Sequence, residues 1–257
     1  MLLSEGVAGV KMAEILLVRH AENEWVRTGR LAGWTPGVHL NAHGRLQAVA
    51  LADRLAGMRV TAIYASPLER TMETAEAIAA RYAGMEVQPL EALGEVHFGA
   101  WQGQALRKLR RQRLWSVVQV YPSRATFPGG ESFRQAQMRA VDALEMLAGR
   151  HRGQRIVVVS HSDIIKLVLA HFLGMHLDLF QRIEVSPASL SVLYLGADRP
   201  VVRCINDTSH LPPSSPEKPI RWPRVLRILR NRLRSPALRL YLTPKSPLHT
   251  RRGDLAR

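Results

Sequence analysis

The sequence contains little cysteine and few aromatic residues. Its 257 residues include one cysteine, Cys204, so no disulfide can form within the chain. A single cysteine favours a reducing compartment, and we expect a cytoplasmic protein in which Cys204 is a small apolar residue of a strand. Phe, Trp and Tyr together make up 6% of the chain.

Long hydrophobic runs are also missing. The most apolar stretches, residues 156–159 and 164–173, are short, and Lys166 interrupts the second. The pattern therefore predicts no membrane span. The first residues do not have the layout of a signal peptide, because Lys11 follows the apolar positions. We expect residues 1–12 to be a loose leader, with Met12 as an alternative start.

Acidic residues are scarce relative to basic ones. Lys and Arg number 36 against 21 Asp and Glu, a net charge of +15. Residues 211–257 contain 12 Lys and Arg against Glu217 and Asp254, so the excess is concentrated in this tail of +10. The tail is rich in proline and is predicted to be flexible, with a short basic amphipathic helix at 224–234. It is either a solubilising segment or a contact for nucleic acid or another acidic surface. Its two aromatic residues, Trp222 and Tyr241, are too few for a base-stacking surface.

Strand and helix patterns alternate along residues 13–210. Short apolar runs predict strands at 13–18, 62–65, 87–90, 156–160, 189–195 and 201–205, and amphipathic patterns predict helices at 41–57, 66–82, 131–150 and 162–173. This order is typical of an α/β fold with a mostly parallel sheet. The sequence thus predicts one α/β domain over residues 13–210.

Two helix starts have recognisable capping residues. Asn41 is suited to cap the helix at 41–57, whose predicted apolar side contains Leu46, Val49, Ala50 and Leu55. Ser66 is predicted to cap the next helix, with Pro67 in its first position and Glu69 completing a capping box.

Basic and imidazole side chains follow three of the predicted strands. Arg19 and His20 follow the first strand, Arg70 lies shortly after the second, and His161 follows the strand at 156–160. Carboxyl ends of parallel strands meet at one crevice, where ligands bind. Two arginines and two histidines there suit a phosphoryl group, which a neutral histidine can attack. The alternative is that the histidines are loop or core residues and the arginines are solvated.

Five motifs in order resemble the signature of a known family. They are LLVRHAENEW at 16–25, SPLERT at 66–71 followed by TA at 74–75, LGEVHFGAWQG at 93–103, PGGES at 128–132 and VVSH at 158–161. This set is similar to that of the histidine phosphatase superfamily, the phosphoglycerate mutase-like clan. The resemblance extends over about residues 13–207. It implies a three-layer α/β/α sandwich with a mixed, mostly parallel sheet.

The resemblance also implies a role for each matching residue. His20 is the expected nucleophile, which becomes phosphorylated, and Arg19, Arg70 and His161 are expected to bind the phosphoryl group. Glu95 is expected to protonate the leaving oxygen and then to activate water. No metal and no cofactor are expected. His39 and His43 are four residues apart, but the helix start between them separates their faces, and the chain contains no HExxH motif.

Some positions depart from the family pattern. Ala21 replaces the usual glycine, and Asn23 replaces the usual threonine. Val26 stands where an asparagine often contacts phosphate, and Asn23 either takes over that contact or is a turn residue. Trp34 lies in a loop that faces substrate in the family, where it either lines the entrance to the site or is a packing anchor.

The choice between hydrolysis and phosphoryl transfer rests on the third motif. Its FGAWQG ending, at 98–103, is the phosphatase-like form, and the 66 residues from Glu95 to His161 leave little room for the additional segment of the mutases. We therefore predict a phosphatase that acts on a small phosphorylated substrate, with a phosphomutase as the alternative.

Residues 106–127 are the predicted lid. Its basic residues either attract acidic substrates or form a solvated face; they are Arg107, Lys108, Arg110, Arg111 and Arg113. The non-enzymatic alternative is an inactive phosphate-binding protein whose tail binds an acidic partner.

Overall fold

A computed structural model describes residues 11–212 of the chain. The predicted leader at 1–12, the tail at 211–257 and the helix at 224–234 lie almost entirely outside the described residues. The predicted catalytic domain at 13–210 lies within them. Among residues 11–212, no helix combines the length and apolarity needed to cross a membrane.

The strands occur where the apolar runs predict them. They are β1 (Ala13–Arg19), β2 (Ala62–Ala65), β3 (Val87–Pro89), β4 (Arg155–Ser160), β5 (Leu190–Leu195) and β6 (Val201–Asp207). Each begins and ends within two residues of its predicted bounds. Cys204 lies in β6 and is partly buried, as expected.

Helices connect the strands. They are α1 (Glu24–Thr28), α2 (Ala42–Leu55), α3 (Glu69–Ala79), α4 (Leu106–Leu109), α5 (Arg113–Val120), α6 (Phe133–Arg150) and α7 (Ser162–Phe172). The predicted lid contains α4 and α5, and its five basic residues, Arg107, Lys108, Arg110, Arg111 and Arg113, are exposed. Shorter 3-10 turns occur at Glu91–Leu93, Gly99–Trp101, Pro122–Arg124 and Leu177–Arg182.

The strands of the described region form one mixed six-stranded sheet. Its order is β3-β2-β4-β1-β5-β6. Strands β3, β2, β4 and β1 are parallel, whereas β5 pairs antiparallel with β1 and β6 antiparallel with β5. The predicted mostly parallel, mixed sheet is therefore confirmed.

Side chains alternate between the two faces of this sheet and form two apolar cores. Ile15 and Leu17 of β1 pack on the side that contains α6 and α7, whereas Leu16 and Val18 pack on the side that contains α2 and α3. This alternation follows from the two-residue period of a strand. Helices on both faces complete the three-layer α/β/α sandwich.

The predicted apolar side of α2 is correct at Leu55, which is buried, and wrong at Leu46 and Val49. Asn41 caps the helix as predicted, with its side chain accepting from the Gly44 N–H, but Leu46 is 70% exposed and Val49 is 45% exposed. The buried side is instead Gly44, Gln47, Ala48, Leu51, Ala52 and Leu55. Small residues on this side let the helix approach the chain closely, which outweighs the burial of larger apolar side chains at Leu46 and Val49.

The predicted cap of α3 is also wrong. The helix begins at Glu69 with Leu68 in the cap position, two residues after Ser66. The Ser66 hydroxyl lies 2.8 Å from the His161 ring instead, and the Glu69 carboxylate accepts from the Gly37 N–H. The Ser66 hydroxyl also accepts from the Leu68 N–H at 3.4 Å, but the predicted capping box does not form, because both polar groups bind residues that are distant in the sequence.

Candidate active site

Three strand ends meet where the sequence predicts the site. Arg19, the last residue of β1, pairs in register with Ser160, the last residue of β4. Ala65, the last residue of β2, pairs with Val159 of β4. The residues that follow these ends, His20, His161 and Ser66, are therefore brought together by the parallel pairing.

The His20 ring is held in one tautomer. Its Nδ1 lies 2.8 Å from the Ala21 carbonyl oxygen, and His20 is 4% exposed. Because a carbonyl oxygen only accepts, Nδ1 carries the hydrogen and Nε2 keeps a free lone pair. Burial, followed by the positive charges of Arg70 and Arg19, lowers the pKa of His20 well below its usual value. His20 is thus a neutral imidazole with a nucleophilic nitrogen.

The His161 ring is fully buried between two polar partners. Its Nδ1 lies 3.2 Å from Nη2 of Arg70, which can only donate, so Nδ1 accepts and Nε2 donates to the Ser66 hydroxyl at 2.8 Å. Burial and then the Arg70 charge lower the pKa of His161 well below its usual value. The rings of His20 and His161 meet edge to face, with centroids 5.2 Å apart.

Three donors of this site have no hydrogen-bond partner among the described residues. They are Nε of Arg19, Nη1 of Arg70 and Nδ2 of Asn23, and all three are buried. Other atoms of the same side chains are fixed: Arg19 donates to the Val185 carbonyl at 2.7 Å, and Arg70 to the Gly33 carbonyl at 2.8 Å. All three side chains line one cavity of about 200 Å³ that also contains His20 and Glu95. Unpaired buried donors on side chains that line one cavity suit an anion with several oxygens.

Asn23 caps α1, and its side chain also lines the cavity. Its Oδ1 accepts from the Val26 N–H at 2.9 Å, while its buried Nδ2 has no partner among residues 11–212. One amide therefore orders the turn after His20 and leaves a donor for a ligand.

Glu95 reaches the cavity from the loop after β3. Its side chain is 13% exposed, and its Oε2 lies 4.0 Å from Nδ1 of His161. Burial, together with the negative charge of Asp163, raises the pKa of Glu95 to about 7. The carboxyl can therefore both give and take a proton near neutral pH.

Ala21 fits in the turn after His20. It is fully buried, and its N–H donates to Thr74 Oγ1 at 3.1 Å, whose own hydroxyl donates to the Arg70 carbonyl at 2.7 Å. The backbone of Ala21 lies outside the left-handed region that favours glycine.

Trp34 lies behind Glu95. The indole stacks on His97 at 4.3 Å and donates from Nε1 to the Glu95 carbonyl at 2.6 Å. It lines a different cavity from the one that contains His20. These are the contacts of a packing anchor, and the structure does not bring the indole together with the other predicted substrate-binding residues.

The histidine pair His39 and His43 is divided between two carboxylates. His39 contacts Glu73, whereas His43 Nδ1 lies 3.3 Å from Glu22. Within residues 11–212 no three His, Cys, Asp or Glu side chains are arranged to hold a metal ion.

The sequence pattern assigns no ligand-binding role to four residues at or beside this site. Ser66 and Thr74 belong to the second motif, and Arg30 and Asp163 line the cavity. Asp163 lies two residues after His161, in the first turn of α7, so its place shortly after the VVSH motif indicates that it lies near the site.

Comparison with known proteins identifies the class to which this architecture belongs. The family model for the histidine phosphatase superfamily (branch 1) matches residues 15–208. The chain is 34% identical to phosphoserine phosphatase 1 of Hydrogenobacter thermophilus over 205 residues, covering 78% of this chain and 95% of that protein. It is 33% identical to a metal-independent phosphoserine phosphatase of Arabidopsis thaliana, covering 78% and 84%. Among solved structures, Bacillus stearothermophilus YhfR superposes with a TM-score of 0.73 at 27% identity, covering 77% of this chain and 98% of that one.

The chain belongs to the histidine phosphatase superfamily. Its class is therefore that of the phosphoric monoester hydrolases within this phosphoglycerate mutase-like group.

Proposed function

We propose that the protein is a metal-independent phosphomonoester phosphatase that acts through a phosphohistidine on His20. One observation carries the proposal. The Nδ1–H of His20 is bound to the Ala21 carbonyl, so the lone pair of Nε2 is free. His20 lines one cavity together with Arg19, Arg70 and Asn23, each of which has a buried donor without a partner among residues 11–212. A nucleophile and an anion-binding site therefore share one cavity.

In the first step, His20 Nε2 attacks phosphorus as the bond to the leaving oxygen breaks. Arg19 and Arg70 stabilise the charge on the transferring oxygens, and they keep their protons at neutral pH although burial lowers the pKa of both guanidinium groups. Protonated Glu95 gives its proton to the leaving oxygen. The products are an alcohol, phosphohistidine and the Glu95 carboxylate.

In the second step, water attacks the phosphorus of phosphohistidine. The Glu95 carboxylate takes a proton from this water, and the bond from phosphorus to Nε2 breaks. Inorganic phosphate leaves, and His20 and Glu95 return to their starting forms. The two guanidinium groups supply the positive charge, so no metal takes part in either step.

His161 supports the same pocket through Arg70. As a neutral ring it accepts from Nη2 and fixes that guanidinium, whose Nη1 is free for a phosphoryl oxygen. A bound phosphate dianion adds negative charge beside both histidines and thereby favours a proton on His161.

The substrate class is a small phosphomonoester, and L-phosphoserine is the first compound to test because two relatives are named for its hydrolysis. Phosphomutase activity remains the alternative and is assayed with the phosphoglycerates.

A cytoplasmic location belongs to the same proposal and rests on the single cysteine. Binding of an acidic partner by the tail is tested as salt-sensitive binding that is lost on truncation at Leu211.

The experiment measures hydrolysis of 4-nitrophenyl phosphate and L-phosphoserine by wild type and His20→Ala, with and without EDTA. We expect EDTA-resistant activity that falls at least about a thousandfold in the variant, because a nucleophile is removed. Protein quenched in alkali should contain bound phosphate that is released in acid, as expected of phosphohistidine.

His171→Ala is the matched control, because His171 is an exposed histidine at the end of α7. It should keep wild-type activity. Activity that survives in His20→Ala, or that EDTA abolishes, contradicts the mechanism.

A further inference from the structure

Two side chains outside the cavity that contains His20 converge on the backbone of the acid. The Glu95 carbonyl oxygen accepts from Nε1 of Trp34 at 2.6 Å and from Nη2 of Arg139 at 2.9 Å. Trp34 comes from the loop before α2, and Arg139 comes from α6. Both lone pairs of one carbonyl are thus used by side chains distant in sequence.

Arg139 is itself held in several directions. Its Nη1 donates to the Ala92 carbonyl at 2.7 Å, and its Nη2 and Nε donate to the Glu131 carboxylate at 2.7 and 3.1 Å. Glu131 in turn accepts from the His97 N–H at 2.9 Å. The partly buried Glu131–Arg139 pair therefore fixes the chain on both sides of Glu95.

The Glu95 carboxyl itself has weak restraints. Its Oε1 accepts from the neighbouring Val96 N–H at 3.0 Å, and its Oε2 is 4.0 Å from the His161 ring. Residues 94–98 lie between two 3-10 turns and outside any helix or strand. The position of the carboxyl is therefore determined chiefly by where its backbone is held.

The Trp34 loop also connects the acid to the phosphoryl pocket. The Trp34 N–H donates to Gln102 Oε1 at 2.9 Å, and the preceding carbonyl, that of Gly33, accepts from Arg70. The indole packs so closely on Gly94 that a Cβ there would lie 2.2 Å from the ring. The loop that contains Gly33 and Trp34 therefore forms hydrogen bonds with both Glu95 and Arg70.

We propose that Trp34 and Arg139 are positioning residues that hold Glu95 at the distance needed for proton transfer to the leaving oxygen. This inference rests on the proposed acid role of Glu95. Correct placement matters because a shift of about 1 Å can lower the rate by about a hundredfold. Neither residue contacts the reacting atoms.

The test compares kcat/KM for two substrates whose leaving groups need acid to different extents. Nitrophenolate leaves readily without a proton, whereas the alkoxide of glycerol 2-phosphate needs one. Trp34→Phe keeps a ring on His97 and removes one donor, and Arg139→Met removes the cation at similar length. We expect losses of about tenfold or more with glycerol 2-phosphate and less than about threefold with 4-nitrophenyl phosphate. Arg139→Lys should restore part of the loss.

Arg134→Met is the control, since Arg134 is an exposed arginine of the same helix, and it should behave as wild type with both substrates. Circular dichroism checks that each variant is folded. If Arg139→Met does not fold, the result for Trp34→Phe decides the test. Equal losses on both substrates, a rise in KM for both, or no loss overturns the positioning role. Glu95→Gln is measured in parallel, and absence of the leaving-group effect there contradicts the acid role itself.

Discussion

Burial shifts the pKa values of the two histidines and of Glu95 in opposite directions. A low-dielectric environment disfavours the charged form of any group, so it lowers the pKa of His20 and His161 and raises that of Glu95. The same surroundings therefore favour neutral imidazole rings and a protonated carboxyl at one pH. Sharing a pocket with two guanidinium groups strengthens the effect on the histidines.

The raised pKa of Glu95 predicts a pH-dependent gain in stability for Glu95→Gln. An unfolded Glu95 ionises near 4.5, but the folded carboxyl stays protonated to about 7, so the native state loses stability as pH rises between these values. The variant removes this penalty. We expect little gain in the free energy of unfolding at pH 4 and a gain of up to about 3 kcal/mol at pH 8.

Urea denaturation of both proteins at the two pH values is the measurement. Glu91→Gln, which neutralises an exposed carboxyl of the same loop, controls for the loss of one charge. An equal gain at pH 4 and pH 8 for Glu95→Gln argues against a raised pKa.

Helix α2 shows how close packing determines which side of an element is buried. Gly44 lies against the backbone of Glu22, and a Cβ built on Gly44 would lie 1.9 Å from the Glu22 carbonyl oxygen. Gly149, near the end of α6, has no described atom within 4 Å of such a Cβ. Helix propensity is the same for the two glycines, but a side chain would clash at Gly44 and not at Gly149.

Gly44→Ala and Gly149→Ala should therefore have opposite effects on stability. Gly44→Ala forces α2 away from the backbone of Glu22 and should lower the free energy of unfolding by about 1–3 kcal/mol. The second should raise it by about 0.5–1 kcal/mol, because alanine loses less entropy in a helix. Thermal or urea unfolding of the pair checks this, and stabilisation by both would mean that α2 does not approach Glu22 closely.

In the whole domain, the strand order brings two arginines to one cavity, which therefore suits an anion. Arg19 and Arg70 come from different strand ends, and each keeps a buried donor without a partner among residues 11–212. Two nearby buried cations repel each other in the absence of an anion. Ligand binding is thus expected to stabilise the complete fold.

Inorganic phosphate should raise the unfolding temperature of the wild-type protein. A ligand at about 100 times its Kd contributes about 2.7 kcal/mol when it binds only the native state. Arg70→Met should lose most of this shift, since one guanidinium of the pocket is gone. Differential scanning fluorimetry with phosphate, and with chloride at equal ionic strength as control, is the measurement. Equal shifts in both proteins would place phosphate elsewhere.

Much of the architecture was predictable because its signals are local. Apolar runs indicated the strands, and the carboxyl-end rule brought His20, Arg70 and His161 to one crevice. Glu95 was identified by motif resemblance alone, since nothing in its periodicity indicates a catalytic carboxyl. The loss of the predicted Ser66 cap and the exposed face of α2 were not predictable, because contacts with His161 and Glu22 override the local preference.

Sequence pattern alone therefore determined the strands, the Asn41 cap and the placement of both histidines after strands, since each depends on neighbouring residues. Only the tertiary structure decided the tautomers of His20 and His161, the pKa of Glu95 and the position of Trp34 behind the acid. These properties depend on burial and on partners that are distant along the chain. Electrostatic and hydrogen-bonding effects act through space, so they exist only once the fold has brought those partners together.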